Sequence, residues 1–341
     1  MKEKLLGKTL KELEEVCLGL KLPKFTAKQV ADWIYNKGVL DIDSMTNLSL
    51  KARQSLSETY IVGIEKPIKE AISEDGTIKY LYQYGENTFV ESVLIPDKKR
   101  LTLCVSTQVG CKMNCSFCST GKQGFLRNLD AGEIINFLRS IDEFDEVSNI
   151  VYMGMGEPFD NYEEVVKSIE ILTSSWGFAL SSRRITVSSS GIIPQMIRFI
   201  NETTCHLAIS MHNPFHEERL QIMPLENKYP IEEVCDELRK YNWYGQRRLT
   251  FEYIVLKGIN DTYSHAKEVS YLLRGLDAMV NLIYYNPTPE FPFSAPSPQE
   301  MEEFQKELEG FNLATTIRQS KGQDILAACG LLSTKELSKR K

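Results

Sequence analysis

Residues 109–124 read VGCKMNCSFCSTGKQG and place three cysteines, Cys111, Cys115 and Cys118, in one short segment. Thiolates are the soft ligands that iron-sulfur clusters use, and a cluster of the four-iron type ordinarily takes four of them. Because the segment holds three cysteines and no fourth, the spacing predicts a [4Fe-4S] cluster with one iron that has no protein ligand. That iron is free to bind a small molecule.

Two further interpretations of the cysteines are weaker. Structural zinc normally completes its tetrahedron with a fourth Cys or His, and no His lies within thirty residues on either side of the segment. Three unrelated core cysteines are disfavoured because Lys112, Asn114 and Ser116 make the segment polar, while Gly110 and Gly121 indicate a loop. The cluster interpretation is therefore preferred.

The spacing resembles that of the radical S-adenosylmethionine enzymes. In that superfamily the free iron binds the amino and carboxylate groups of the methionine moiety of S-adenosylmethionine. The resemblance implies that the chain is an enzyme.

The pattern of the chain changes at the cysteine segment. Before it, residues 78–106 form three short alternating runs separated by turn residues, which predicts an antiparallel stretch. After it, β/α repetition predicts a parallel sheet, either doubly wound or closed into a full or partial barrel. Predicted strands are NIVYMGMG, RRITVSSSG, HLAISMH, LTFEYIVL, MVNLIYYN and ATTIRQS, with helices at 162–174, near Met196, and at 231–241, 265–274 and 299–309. A barrel is favoured because it gathers the polar strand ends on one rim.

Four regions are predicted along the chain. Residues 1–62 form a small helical accessory domain that docks RNA, with a structural cap as the alternative, and residues 63–100 form a β extension. Residues 101–332 form the barrel, and residues 333–341 form a basic tail.

Composition indicates a cytoplasmic enzyme without a membrane partner. The 341 residues are 42% hydrophobic and 25% charged, which suits a globular protein with a proper core. No apolar run is long enough to span a bilayer, and the first residues lack a secretory signal. Without a secretory route, the eight cysteines are expected to be reduced.

Positive charge flanks the segments that carry cysteines, although the net charge is -6. Residues 96–128 hold six basic groups and one acid, and residues 314–341 hold six basic groups and two acids. Residues 129–180 hold eleven acids and two basic groups. Solvated faces are the ordinary explanation of each stretch, but together they favour a phosphate-bearing substrate.

Polar residues at strand ends are candidates for binding S-adenosylmethionine. Gly156 lets the backbone approach a ligand, and Glu157 would accept from an ammonium group. Further candidates, from the next strands, are Ser188, Ser210, Met211, His212 and Asn286. Local backbone bonding, solvent exposure or turn formation are the alternative roles of the serines, the histidine and the asparagine.

Two cysteines outside the segment, and one acidic residue, also stand out. Cys329 lies between Ala328 and Gly330, which leave it open to a bulky partner, and Cys104 lies on a strand before the cysteine segment. Glu91 interrupts an apolar strand, as a rim salt bridge or as a proton-transfer group. Cys17, Cys205 and Cys235 are interpreted as inert core residues.

Several motifs together resemble the RlmN/Cfr family of radical S-adenosylmethionine RNA methyltransferases. They are CVSTQVGCKMNCSFCSTGKQGFLRNL, VYMGMGEP, SMHNPF, EERLQIMP, LIYYNPTP and QDILAACG. The resemblance covers residues 80–332 and extends to the N-terminal helices. It implies an α/β fold with a partial (β/α)6 barrel of the TIM-like, radical S-adenosylmethionine type.

The resemblance also implies a mechanism that uses two molecules of S-adenosylmethionine per turnover. One methylates Cys329, and the other yields a radical that takes a hydrogen from this methyl group. The resulting carbon radical adds to an adenine ring carbon. Cys104 then releases the product through a transient disulfide with Cys329, and Glu91 matches the family's proton acceptor.

The implied substrate is a specific adenosine of 23S rRNA, with tRNA as a second substrate. Pro158, Asn114 and GFLRNL favour methylation at C2, and a Cfr-like reaction at C8 is the alternative. Two further functions would also use the cysteine segment: a radical activase that acts on protein, and a non-catalytic iron-sulfur protein that binds RNA or senses redox state. We expect a monomer that receives electrons from a flavodoxin- or ferredoxin-like donor.

Overall fold

The N-terminal segment is helical, and its first helix begins at a strong capping signal. In the computed structural model, which describes residues 2–245, 247–288 and 291–334, Thr9 and Glu12 form a reciprocal capping box. The elements are β1 (Glu3–Lys4), α1 (Leu10–Gly19), α2 (Thr26–Ala31), a π-helical turn (Asp32–Asn36), α3 (Leu50–Thr59) and β2 (Tyr60–Ile61), with β1 and β2 parallel.

An antiparallel extension follows, as predicted, with one strand more than expected. It consists of β3 (Lys69–Ile72), β4 (Ile78–Gln83), β5 (Phe89–Asp97) and β6 (Arg100–Cys104). Strand β3 was not predicted because its sequence, KEAI, is short and half charged. Neighbouring strands of the extension pair antiparallel from β3 to β6.

The cysteine segment is a loop closed at its base by two short strands. Its elements are β7 (Gln108–Gly110), α4 (Ser119–Gln123), β8 (Phe125–Asn128) and α5 (Ala131–Arg139). Gly110 has a φ of 77°, and a Cβ there would lie 1.6 Å from the carbonyl oxygen of Gly124, so only glycine fits. Helix α5 was not predicted, although Asp130 and Glu133 form a capping box at its start.

The rest of the chain alternates strands and helices close to the predicted bounds, except for a short helix at His216–Ile222 that was not predicted. The elements are β9 (Asn149–Tyr152), α6 (Tyr162–Thr173), β10 (Ile185–Ser189), α7 (Ile193–Glu202), β11 (His206–Ser210), α8 (His216–Ile222), α9 (Ile231–Leu238), β12 (Leu249–Val255), α10 (Tyr263–Leu272), β13 (Ala278–Tyr284), α11 (Pro298–Gly310) and β14 (Ala314–Arg318). Among the described residues, no helix is both long and apolar enough to cross a bilayer.

One open sheet joins the extension to the β/α repeats. Its strand order is β14-β13-β12-β11-β10-β9-β6-β5-β4-β3, and all pairs from β6 to β14 are parallel. Strand β6 is antiparallel to β5 and parallel to β9, so it belongs to both halves. Six strands are followed by a helix and β14 ends the series, which confirms the partial (β/α)6 barrel.

The N-terminal helices share their hydrophobic core with the barrel. Gly7, with a φ of 87°, approaches the backbone of Gly132 so closely that a Cβ would lie 2.2 Å from its nitrogen. The side chain of Arg139, on α5, donates to the carbonyl of Ile34 at 3.0 Å. These contacts fix the helical segment against the outer face of the barrel. The predicted basic tail, residues 333–341, lies outside the described residues from 335 onward.

Candidate active site

The inner face of the sheet encloses a cavity of about 1170 Å³ that collects most of the predicted site residues. Because the carboxyl ends of parallel strands meet at one rim, residues distant in sequence come together there. Predicted residues that line the cavity are Cys104, Cys118, Gly156, Glu157, Ser188, Ser210, His212 and Cys329. The predicted residues Glu91, Cys111, Cys115, Met211 and Asn286 are not among the lining residues.

The cysteine loop, residues 111–118, lies against residues 326–333, which form the Cys329 segment. The Cys118 N–H donates to the carbonyl of Cys115 at 3.2 Å, which turns the loop. The next N–H, of Ser119, donates to the carbonyl of Gly330 at 2.8 Å. This hydrogen bond places the residue after Cys118 next to the residue after Cys329.

The three loop cysteines are half-buried, and their thiols lie close enough to affect one another. Burial raises the pKa of Cys111 to about 12 and raises the pKa of Cys115 and Cys118 as well. For Cys115, negative charge on Cys118 and Cys111 is the next cause, so the three sulfurs feel each other's charge. Such thiols need an added positive centre to become thiolates, which a bound iron-sulfur cluster provides.

The donor set fits a cluster better than a single ion. Three thiolates from one loop, with no fourth Cys or His in that loop, do not complete the tetrahedron of a structural zinc ion. A four-iron cluster instead binds each thiolate at a different iron, so its ligands lie further apart. Cys111, Cys115 and Cys118 are thus the residues that would hold the cluster.

Cys104 and Cys329 are both free thiols of the same cavity. Burial raises the pKa of Cys104 to about 12, and negative charge on Cys329 contributes, while Arg318 opposes both. Arg318 also lines the cavity, and Cys329 is the main cause that raises the pKa of this guanidinium. Cys104, Cys329 and Arg318 therefore form one group. The sequence predicted the two thiols as site residues but not the arginine.

Glu91 and Lys79 are both hydrogen-bonded to the Cys329 segment, Lys79 at a residue before Cys329 and Glu91 at a residue after it. Their side chains form an ion pair at 3.0 Å, so the salt-bridge interpretation of Glu91 is observed. Glu91 accepts from the N–H of Ser333 at 3.1 Å, and Lys79 donates to the carbonyl of Leu326 at 3.2 Å. Burial raises the pKa of Glu91, and Lys79 opposes that effect.

Asn286 also anchors the Cys329 segment. Its amide nitrogen donates to the carbonyl of Cys329 at 3.3 Å, and its oxygen accepts from Gln323 at 2.7 Å. These two bonds occupy the side chain that the sequence suggested for ligand binding. In this structure Asn286 fixes the main chain at Cys329.

Glu157 lies at the rim with its carboxylate already fixed by the protein. One oxygen accepts from the N–H of Phe159 at 3.0 Å, and the other accepts from the N–H and hydroxyl of Ser190 at 2.8 and 2.7 Å. Burial raises its pKa, and these hydrogen bonds oppose the rise. Gly156 precedes it with a φ of 101°, and a Cβ there would lie 2.6 Å from the Cβ of Gln108.

A buried arginine ties the ends of β10 and β11 together. Arg219 is fully buried, pairs with Glu226, and donates to the carbonyls of Ser190 (3.1 Å), Ser210 (2.8 Å) and Met211 (2.8 Å). It therefore holds the strand ends where the candidate ligands lie. Met211 is fully buried and does not line the cavity. In the sequence, Arg219 looks like any charged residue of a surface helix.

His212 is a neutral, buried imidazole with a fixed tautomer. Its Nδ1 accepts from the N–H of Ile254 at 3.0 Å, which places the proton on Nε2. Burial lowers its pKa to about 3, and Arg219 adds to the effect. Its φ of 59° lies in the left-handed region, which is uncommon for a residue other than glycine. Since His212 lines the cavity, Nε2–H is a donor available to a ligand.

The lowered pKa of His212 predicts an acid-sensitive fold. The unfolded chain binds a proton at this residue below about pH 6.5 and the folded chain does not, so stability is lost as pH falls toward 3. At pH 5 the loss is about 2 kcal/mol. His212→Asn tolerates the left-handed backbone and should lose less stability between pH 7 and pH 5. Anaerobic urea unfolding of both proteins measures this, and equal losses would contradict the assignment.

Comparison with known proteins agrees with the geometry. The "Ribosomal RNA large subunit methyltransferase N-terminal domain" matches residues 3–62, and the "Radical SAM superfamily" matches residues 105–267. A protein of Bacteroides thetaiotaomicron named "Probable dual-specificity RNA methyltransferase RlmN" is 53% identical, over 97% of this chain and 96% of its own length. A "Dual-specificity RNA methyltransferase RlmN" of Syntrophus aciditrophicus is 41% identical over 97% of each chain.

A solved structure shows the same fold. The crystal structure of a radical SAM methyltransferase from Sphaerobacter thermophilus superimposes with a TM-score of 0.91. It is 40% identical and covers 96% of this chain and 98% of its own. The cysteine loop and the two further thiols match this assignment, and the relatives align with this chain over almost the full length of both proteins. This chain therefore belongs to the RlmN family of radical S-adenosylmethionine methyltransferases.

Proposed function

We propose that this enzyme methylates C2 of a specific adenosine in 23S rRNA and in tRNA. The observation that carries the proposal is the meeting of Cys104, Cys118 and Cys329 in one cavity. A radical enzyme that activates a protein needs the cluster but has no use for the two further thiols. The names of the relatives, dual-specificity RNA methyltransferases, support RNA as the substrate.

The rim residues are assigned to S-adenosylmethionine. Glu157 accepts from its ammonium group through the lone pairs that its protein partners leave free. Nε2–H of His212 donates to the ligand, and the hydroxyls of Ser188 and Ser210 bond its ribose or carboxylate. When bound, the cluster supplies the electron that cleaves S-adenosylmethionine.

The two thiols divide the methyl transfer between them. Cys329 carries the methyl group, and the carbon radical made from it forms a carbon-carbon bond to C2 of adenine, so that a CH2 group joins the sulfur of Cys329 to the ring. The ring then loses its C2 proton, and the one electron left over would return to the cluster. The sulfur of Cys104 then attacks that of Cys329, so that a disulfide forms and the carbon-sulfur bond breaks. The released electron pair and a proton complete the methyl group on the base. Glu91 is assigned as the proton acceptor, and an external thiol restores both cysteines.

C8 of adenosine remains the second candidate position. Pro158 and Asn114, which favoured C2 in the sequence, lie beside Glu157 and in the cysteine loop, respectively. We further propose that the enzyme works as a monomer in the cytoplasm and receives electrons from a flavodoxin- or ferredoxin-like protein. The eight free thiols support a reducing compartment.

Isotope transfer to RNA tests the proposal. The reconstituted enzyme is incubated anaerobically with a chemical reductant, methyl-deuterated S-adenosylmethionine and 23S rRNA or tRNA lacking the modification. Mass spectrometry of the nucleosides should show labelled 2-methyladenosine. Label at 8-methyladenosine would change the position, and label in neither nucleoside would contradict the function.

A further inference from the structure

The cavity runs the full length of the barrel strands. Strand β10 contributes Thr186 near its start and Ser188 near its end, and β11 contributes His206 and Ser210 in the same way. The lumen therefore reaches the amino-terminal ends of the strands, opposite the rim that carries the cysteine loop.

At the carboxyl-terminal rim, helix α4 is hydrogen-bonded to the residues that follow Cys329. Besides the bond from Ser119 to Gly330, the hydroxyl of Thr120 donates to the carbonyl of Leu332 at 2.7 Å. Helix α4 and the Cys329 segment thus lie together across this rim, which also holds the residues assigned to S-adenosylmethionine. A large substrate that entered from this side would have to pass these two bonded segments.

The opposite mouth carries three arginines from separate parts of the chain. Arg100 is the first residue of β6, Arg183 lies two residues before β10, and Arg248 lies immediately before β12. All three line the cavity. Arg100 pairs with Asp97 in an exposed ion pair. Within residues 2–245, 247–288 and 291–334, neither Arg183 nor Arg248 has a carboxylate within 4.0 Å.

Positive charge at this mouth is concentrated enough to affect a neighbouring histidine. Nδ1 of His206 accepts from the N–H of Arg248 at 3.0 Å. Burial lowers the pKa of His206, and the charges of Arg248, Arg247 and Arg183 lower it further. Arg183 and Arg248 both act on His206 and have no carboxylate partner among the described residues, while Arg100 adds a third cation that is paired with Asp97 at the surface. Unpaired guanidinium groups match a polyanion, and their fork suits phosphate in particular.

We propose that Arg100, Arg183 and Arg248 bind the RNA phosphates on either side of the target adenosine, so that the extruded base enters the lumen from the amino-terminal ends of the strands. This inference rests on the proposed function. An enzyme that modifies a ring atom must take the base out of its stack, and phosphate contacts fix the register while it does so. Arg100 and Cys104 lie four residues apart on β6, about 13 Å, a distance that an extruded nucleotide can cover.

Arg184 provides a matched control for the test. It follows Arg183 directly, is exposed, and is not among the residues that line the cavity. Arg183→Glu, Arg248→Glu and Arg184→Glu make the same change of charge. The affinity of each reconstituted protein for the RNA substrate is measured by anisotropy over a range of salt concentrations.

Arg183→Glu and Arg248→Glu should each bind RNA at least tenfold more weakly at low salt. Each should also reduce the slope of log affinity against log salt by about 0.7–0.9, the value for one lost phosphate contact. Arg184→Glu should keep the wild-type slope. Iron content and thermal unfolding check that the variants fold, and Arg183→Gln and Arg248→Gln replace any that do not.

Equal slopes for the Arg183, Arg248 and Arg184 variants would overturn the inference. If the wild-type enzyme still methylates RNA in that case, the proposed function stands and the RNA approaches elsewhere. If the wild-type enzyme neither binds nor methylates RNA, the proposed function itself fails. The two failures are therefore distinguished by one methylation assay.

Discussion

Replacing Cys104 with alanine should trap RNA as a covalent adduct on Cys329, with no release of methylated product. The wild-type enzyme should show no lasting adduct. Denaturing gels would reveal the Cys104→Ala adduct as a protein band of raised mass that ribonuclease shortens. Peptide mass analysis should place the remaining nucleotide on Cys329.

The expectation follows from what the cavity offers to the carbon-sulfur bond. Cys118 is the one other cysteine among the described residues that line it, and its thiol belongs to the cluster loop. Cys104 is buried and lies close enough to Cys329 for negative charge on that sulfur to raise the pKa of Cys104. The positive charge of Arg318 opposes this rise. Alanine at 104 removes the one thiol positioned to break the adduct.

Two controls separate this role from general damage. Cys329→Ala should keep the cluster and still cleave S-adenosylmethionine weakly, yet place no methyl group on protein or RNA. Cys205→Ala removes a buried cysteine that does not line the cavity and should methylate RNA normally. Normal methylation by Cys104→Ala or by Cys329→Ala would remove the two-thiol mechanism.

Periodicity predicted the barrel because each repeat buries one strand and one helix face. The helix expected at 299–309, for example, spans Pro298–Gly310 in the structure. Helix α5 and strand β3 were not predicted, for different reasons. The first carries a capping signal, but only the short strand β8 separates it from the cysteine segment, whose glycines indicate a loop. The second is a short edge strand whose position depends on pairing with β4.

Strand-end chemistry predicted much of the site for a geometric reason. Parallel strands end at one rim, so Glu157, Ser188, Ser210 and His212 had to come together once the barrel was predicted. What each side chain does locally was not predictable. Asn286 bonds the Cys329 segment instead of facing the cavity, because that segment folds back across the rim.

Two arginines, the buried Arg219 and the half-buried Arg318, were the largest omission from the sequence-based site. Arg219 and Arg318 lie in segments that read as an ordinary helix and a strand end. Their importance comes from partners brought by distant elements, namely Glu226 and the strand-end carbonyls for Arg219, and the thiols for Arg318. The sequence shows that a side chain is charged, but only the fold shows which groups surround it.

Replacing any one of Cys111, Cys115 and Cys118 with alanine should abolish the cluster and all methylation. The three thiols supply every protein ligand that the loop offers, and no fourth is available to compensate. Iron and sulfide content after anaerobic reconstitution, together with visible absorption, would show the loss directly. These measurements do not depend on activity.

Cys235→Ala is the matched control for the loop variants. Cys235 is a buried residue of α9 that packs in the core, so its removal should leave iron content and absorption unchanged. Metal analysis also decides the identity of the site. Retention of iron and absorption in the triple alanine variant, or stoichiometric zinc in the wild-type protein, would contradict the cluster. Because the loop is held against Gly330 by the N–H of Ser119, loss of the cluster should also loosen the Cys329 segment, which faster alkylation of Cys329 would detect.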